Sequence, residues 1–387
     1  MGRIICSHCN CSMDDSSTAG APRYCMQCGA PVAPVSDISG SVERYTFQFT
    51  ATAGEYFRIW IVNLFLTVIT LGVWAAWAKV RNRRYIWAST NLAGHPFTFH
   101  GNPAAILRGN MIIAGMFVAY VAMKKFEPGL AGILFFIFSV VFPFLVCKSL
   151  RFNAHNTSYR NIRFRFLGGF GESYQTYLLF AGIVPFTLFI FFPAWQFYKK
   201  KYFFNNLAYG MTGSAFSGRK GPFYRAYLLA CVIGGLCFMV FSSLGAYAVH
   251  RLSTVLGNTG ASGTLGFVYS LFFTYLIAAF IIYALQAVIY SMTMNHCWSR
   301  TRVGKAYFAS TLTARRLLFI RITNMAAIFC SLGLLIPWAK IRRTRYILEN
   351  LAVVTASGLD NFASVAASET TAVGDAATDF VGIEIGL

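Results

Sequence analysis

The apolar residues of this chain come in blocks of about twenty, not in a 3.6-residue stripe, and basic and aromatic residues mark the joints between blocks. Four blocks, about 104–123, 129–147, 224–248 and 266–290, are long and unbroken enough to be full membrane spans. Three more, about 57–78, 174–198 and 317–338, are interrupted by Gly72, by Pro185, and by Gly333 with Pro337. Such breaks suit bent or re-entrant segments buried by protein, although each block is also long enough to cross. The pattern predicts an all-α polytopic membrane protein. It has either four full spans plus three broken or re-entrant segments, or seven spans.

The blocks form an internal repeat. Residues 47–57 (FQFTATAGEYF) match 164–174 (FRFLGGFGESY) at an offset of 117, which carries Phe47, Phe49, Gly54 and Glu55 onto Phe164, Phe166, Gly171 and Glu172. The same offset carries Phe99, Gly101 and Arg108 onto Phe216, Gly218 and Arg225. A third copy lies 261 residues after the first. There Asn63 falls on Asn324, Leu71-Gly72 on Leu332-Gly333, and Trp77-Ala78-Lys79 on Trp338-Ala339-Lys340. Arg81, Arg84 and Tyr85 fall on Arg342, Arg345 and Tyr346.

Each unit opens on a short F-x-F stretch, read as a strand or extended lead-in, and runs through a broken apolar block into a basic run. A second aromatic stretch, such as Phe97-Thr98-Phe99, precedes the two long blocks, and the third copy stops before that pair. The organisation is thus 1–30, a linker 31–44, repeats 45–163 and 164–307, a partial repeat 308–350, and a tail 351–387. Beyond Tyr346 there is no Lys or Arg, and six of the thirteen acids lie there, so the tail reads as acidic and flexible.

Composition agrees with a membrane class: 56% of residues are hydrophobic and 12% charged, against about 25% charged in soluble domains. The net charge of +20 could suggest nucleic acid. The cations, however, sit in short loops beside Trp and Tyr, as in Arg84-Tyr85-Ile86-Trp87, which is the pattern of a membrane interface. No nucleic-acid partner is expected; the lipid bilayer and its anionic head groups are. If all seven blocks cross, 18 basic residues lie on one side and 15 on the other. If the three broken blocks return to their own side, 30 of 33 share one side and only Lys124, Lys125 and Arg251 oppose them. The positive-inside rule prefers the second arrangement, with the N-terminal segment in the cytoplasm. Residues 1–37 carry no apolar signal core, so insertion is expected to use the first apolar block.

The N-terminal segment reads Cys6-x2-Cys9, fifteen residues, then Cys25-x2-Cys28-Gly29. Two such knuckles bring four thiolates to one tetrahedral ion, and a closed four-cysteine site is structural rather than catalytic. About thirty residues cannot build a sufficient core, so bound Zn²⁺ would supply most of the folding energy. Disulfides are the alternative, and His8 or Cys11 could replace one ligand. The ribbon could recruit a protein partner.

The G-E-Y-F of 54–57, Asn63 with the T-L-G of 70–72, the W-A-K-x-R of 77–81 and the R-x-R-F of 163–166 resemble the YjgN-like bacterial inner-membrane proteins. The resemblance covers about residues 45–350 and excludes the ribbon. It implies a bacterial inner-membrane location and no established activity.

Candidate chemistry is sparse. No paired carboxylates lie within the spans, which weighs against a proton-coupled pump. Glu55 and Glu172 recur at equivalent positions and are either gates at a mouth or caps at the start of an apolar helix. Asn63 and Asn324 sit inside apolar blocks, where they either bond between helices or line a polar cavity. Lys79, Arg81, Arg84, Lys340, Arg342 and Arg345 are candidate contacts for anionic lipid. No nucleophile, base or cofactor motif appears, so no enzyme is expected. Duplication and broken segments point to a channel or transport-like module. The alternative is a non-transporting scaffold whose ribbon recruits a partner and whose basic face binds lipid.

Overall fold

The F-x-F stretches alternate inward and outward side chains, as strands do. In the computed structural model of the chain, residues 43–256 and 260–355 are described, with four short N-terminal strands. Those four are β1 (Arg3–Ile5), β2 (Ser12–Asp14), β3 (Arg23–Tyr24) and β4 (Pro31–Val32); β1 pairs with β2 and β3 with β4, both antiparallel.

Ten further strands close a barrel. They are β5 (Glu43–Phe49), β6 (Thr90–Leu92), β7 (His95–Phe99), β8 (Thr157–Tyr159) and β9 (Ile162–Phe166), followed by β10 (Leu207–Tyr209), β11 (Thr212–Phe216), β12 (Thr301–Val303), β13 (Ala306–Ser310) and β14 (Leu351–Thr355). Every neighbour in sequence is an antiparallel neighbour in space, and β14 returns to β5, Thr355 opposite Glu43. This overturns the all-α expectation. The strands were visible as aromatic stretches, but they are only three to seven residues long and helices separate alternate pairs. No local pattern announces that partners so far apart in sequence will meet.

The connections alternate. At one end of the barrel, the turn rim, strands join through two-residue loops: Ala93-Gly94, Arg160-Asn161, Gly210-Met211 and Gly304-Lys305. The first two have positive φ at both residues and the last two have it at their glycine, the backbone that matches strand twist. At the other end, the helix rim, each strand pair is bridged by a helical hairpin. Three are short: α1 (Ala53–Ile69) with α2 (Ala75–Ala88), α5 and α6 (Phe170–Tyr174, Phe180–Phe186, joined by a π-helical turn) with α7 (Phe192–Asn205), and α10 (Ala314–Cys330) with α11 (Ile336–Glu349). Two are long: α3 (Pro103–Phe126) with α4 (Pro128–His155), and α8 (Gly221–Leu256) with α9 (Gly260–Ser299).

The four long helices are apolar and long enough to cross a membrane, and they coincide with the four unbroken blocks. The three broken blocks are helices that turn back. Leu71-Gly72, Leu188-Phe189 and Leu332-Gly333 take the left-handed conformation that ends the outgoing helix. In each, the amide of the second residue donates to a carbonyl five residues back, Thr67, Val184 or Ile328, at 2.8–3.0 Å. The tips expose Leu71, Leu188 and Leu332. Both arms of every hairpin join one rim, so each hairpin returns to the end of the barrel it left, and among the described residues four helices are long and apolar enough to cross a membrane.

Side chains fill the barrel. Phe47, Leu92, Phe97, Tyr159, Tyr209, Val303, Leu351 and Val353 are buried together, and Trp87, Trp298 and Leu348 from returning helices pack onto them. The second Phe of the stretch lies at the helix rim. Phe99, Phe166 and Phe216 fold over Gly101, Gly168 and Gly218, where a Cβ would stand 2.2–2.5 Å from the ring. Only glycine admits the ring there. Strands this short cannot themselves span a bilayer, which takes about 9–11 residues. The segment set down as a flexible tail also begins differently: its first five residues are β14, largely buried, and residues from 356 onward lie outside the described ones.

Candidate functional site

Polar chemistry gathers at the helix rim, where the short hairpins begin and end. Thr52 caps α1, its Oγ1 accepting from the Glu55 amide at 3.3 Å. A tyrosine of the returning helix completes the cap. The Tyr85 hydroxyl accepts from the Thr52 amide at 3.1 Å and stands 2.8 Å from Glu55 Oε2. Burial first, and then the bond to Glu55, pushes this phenol above its ordinary range. Tyr346 repeats the arrangement, accepting from the Thr313 amide at 3.0 Å, and Tyr202 donates to the Gly169 carbonyl at 3.2 Å. Glu172 Oε2 accepts from Asn206 Nδ2 at 2.9 Å. Glu55 and Glu172 are thus exposed residues in the first turns of α1 and α5, held by the returning chain.

A second repeated device joins neighbouring hairpins. Arg345 donates to the Ala51 carbonyl at 2.8 Å, Arg84 to Gly101 at 3.2 Å, Arg151 to Gly168 at 2.8 Å, and Asn295 Nδ2 to Leu312 at 2.7 Å. Four of the five return helices, α2, α4, α9 and α11, thus grip the strand-to-helix junction of the next hairpin. Lys340 donates to the Tyr56 hydroxyl at 2.6 Å. Lys79 and Arg81 are exposed. Desolvation, and then the charge of Arg83, lowers the Lys79 pKa. Lys199 stands 3.8 Å over the Trp195 ring, and burial, then Lys200, brings it down to about 8.

The two asparagines tie arm to arm within their hairpins. Asn324, buried in α10, donates Nδ2 to the Ala339 carbonyl at 3.0 Å and accepts from Arg342 Nη1 at 3.1 Å. Asn63 accepts from Trp74 Nε1 at 3.3 Å and reaches Asn82 at 3.5 Å. Phe180 holds this place in the middle copy, its ring 4.4 Å from Tyr198. Asn324→Leu removes a second hydrogen bond to the Ala339 carbonyl and a partner of Arg342, so about 1–3 kcal/mol of stability is expected to be lost. Asn63→Leu, whose bonds are longer, is expected to lose less. Thermal unfolding of the purified variants in detergent checks the order.

Two cavities open beside these contacts. One, about 120 Å³, lies between α2, α3 and α4 against Lys79, Arg83 and Asn153. The larger, about 270 Å³, lies between α10, α11 and the start of α1, against Arg316, Trp338, Arg342, Arg345, Tyr346 and Glu349. Sequence reading missed Arg316, although the 261-residue offset places it under Glu55. It also missed Arg321, which is 6% exposed and donates to the Tyr283 carbonyl and to Gln286 Oε1, both at 3.0 Å. Arg321 has no repeat signature: Trp60 and Tyr177 hold its place.

Cys6, Cys9, Cys25 and Cys28 lie outside the described residues. The strands around them are described: Ile5 pairs with Ser12 and Tyr24 with Pro31, so each CxxC falls in a six-residue connection at its first and fourth positions.

Among curated proteins the chain is similar to "Inner membrane protein YjgN" of Salmonella typhimurium, 23% identical over 360 residues, covering 80% of this chain and 88% of the relative. It is also similar to the protein of the same name from Escherichia coli K12, 30% identical over 131 residues, which is 32% of each chain. No solved structure matches. Residues 44–380, the barrel and both long hairpins included, match the family described as "Bacterial protein of unknown function (DUF898)", and the chain belongs to that family.

Proposed function

We propose that this protein is a non-transporting platform of the bacterial inner membrane. Its solid barrel rests on the cytoplasmic face, two long hairpins anchor it, and three short hairpins dip into the near leaflet. One observation carries the reading. Every hairpin leaves the same rim of a barrel filled with side chains, while Glu43 and Thr355, which lead to the two terminal segments, meet at the other rim. The positive-inside preference supports a cytoplasmic barrel, since that arrangement leaves only Lys124, Lys125 and Arg251 opposite. The relatives' names support the inner membrane. The duplication and broken segments that suggest a transporter are accounted for by hairpins that turn back. The packed barrel weighs against a path along its axis.

The test has two arms. Cysteines replacing His95, which follows the Ala93-Gly94 turn, or Met211 or Lys305, which lie in two other turns, are introduced into a chain lacking its native cysteines. None is expected to react with an impermeant maleimide until cells are opened; labelling of any one from outside defeats the common-side arrangement. The reconstituted protein is expected to leave vesicles tight to a panel of ions and small solutes, and specific flux would defeat the platform.

The ribbon is read as the platform's recruiting element on the same face. The donor set, four thiols on two equal six-residue connections, fits one tetrahedral Zn²⁺. Metal analysis of the purified chain is expected to give about one zinc per chain. The paired substitution of Cys25 and Cys28 by Ser is expected to remove it. Two disulfides without metal would reverse this reading.

A further inference from the structure

We propose that the 270 Å³ cavity between α10, α11 and the start of α1 binds a phosphate-bearing anion, which the membrane surface supplies as a lipid head group. The site is new to the third repeat. Its origin lies at the third residue of the outgoing helix, which is Glu55 in the first copy, Glu172 in the second and Arg316 in the third. The start of a helix carries partial positive charge and favours a carboxylate; an arginine there opposes it. The capping of α10 does not call for that cation: the Thr313 amide bonds Tyr346 as the Thr52 amide bonds Tyr85, and Thr313 makes no side-chain bond to the α10 amides, which leaves that helix start more in need of a negative group, not less. An anion in the cavity supplies the missing compensation.

The remaining wall is built for the same ligand. Arg342 is held by Thr323 Oγ1 at 2.6 Å and Asn324 Oδ1 at 3.1 Å, its guanidinium 5.1 Å from the Trp338 ring and 5.7 Å from Phe319. Arg345 is held by the Ala51 carbonyl at 2.8 Å. Each of these bonds uses one nitrogen of a group with five N–H donors, so donors remain for phosphate oxygens. Because both guanidiniums are already positioned, a ligand orders little on arrival. Three arginines face one carboxylate, Glu349. Trp338, Ile320 and Ile341 give the cavity an apolar side suited to the glycerol end of a lipid. The other copies lack the set: the first has Glu55 and Ala88 for Arg316 and Glu349, and the second has Glu172 for Arg316 and Tyr198 for Arg342.

The lipid source rests on the reading that the helix rim faces the bilayer; the phosphate chemistry does not. The full chain is therefore tested in neutral detergent, where membrane sidedness plays no part. Phosphatidylglycerol is expected to raise the melting midpoint and to remain bound in native mass spectrometry, with phosphatidylethanolamine binding more weakly. Arg316→Glu restores the residue of the other copies, so it is expected to fold and to bind phosphatidylglycerol at least about tenfold more weakly. Arg316→Gln serves as a second variant that removes the charge without reversing it. If inorganic phosphate stabilises the protein through Arg316 and phosphatidylglycerol does not, the anion is a soluble phosphate and the lipid half of the proposal falls. If neither probe stabilises the natural chain, or if both act equally on the Arg316 variants, the site is overturned. Failure of the maleimide experiment alone would remove the platform and leave the site standing.

Discussion

A chain ending at Asn350 is expected not to accumulate as folded protein, whereas one ending at Thr355 accumulates and melts as the full chain does. The five residues between them are β14. It pairs with β13 from Tyr307 to Ser310 and with β5 from Glu43 to Thr46, so its loss leaves two open edges where the barrel had none. Leu351, Ala352, Val353 and Thr355 are buried. Burying Leu351 and Val353 is worth about 1.5–3 kcal/mol each. The opened wall would also expose Phe47 and Phe308, on a protein whose total margin is on the order of 5–15 kcal/mol. The amount of each truncated chain in the membrane fraction, and its elution as a single species, decides the matter. Equal yield and melting of the two chains would mean that β14 does not close the barrel.

How much of this was legible beforehand differs by element. The four long helices could be read because each is a continuous apolar run, a signal contained within one segment. The repeat could be read because Glu55 and Glu172, or Trp77 and Trp338, keep their spacing through the duplication. The leading stretch Phe47-Gln48-Phe49 could be read as a strand or extended lead-in, and Phe97-Thr98-Phe99 only as an aromatic stretch. The barrel was not. β8 and β10 are three residues each, and β5 meets β14 across some three hundred residues of intervening chain. Pairing of that kind is decided by a shared core, and no short window of sequence contains it.

The candidate site divides along the same line. Asn63, Asn324 and the basic runs were noticed because polar groups stand out in apolar blocks, yet their partners could not be named. Arg84 and Arg345, expected at lipid, also donate to backbone carbonyls of the neighbouring hairpin, a role that depends on adjacency around the barrel. Arg316 was within reach: the offset that exposed the repeat also shows a carboxylate replaced by a cation. Arg321 was not, because only the packing of α10 against α9 reveals that it is buried.

The second large effect is expected inside the barrel. Phe97→Ala should cost about 3–5 kcal/mol, the usual range for emptying a packed aromatic site. Its ring stands 4.7 Å from Tyr159, 5.6 Å from Trp87, 6.0 Å from Phe47 and 6.3 Å from Phe164, so the loss would be shared by strands β5, β7, β8 and β9 and by the end of α2. Phe117→Ala is the matched control: the same chemistry on α3, where the side chain is 65% exposed on a membrane-spanning helix. That change removes no packed neighbour from the barrel and is expected to leave its unfolding nearly unchanged. Equal effects from the two substitutions would mean that the barrel interior is not a cooperative core. The same variant bears on function. Removing one ring leaves Trp298 and Leu348, with the other rings, across the barrel, so vesicles holding Phe97→Ala should stay as tight as those holding the natural chain. Ion conductance appearing with this single truncation would make the barrel axis a blocked path and not a filled support, and the transport reading would then replace the platform.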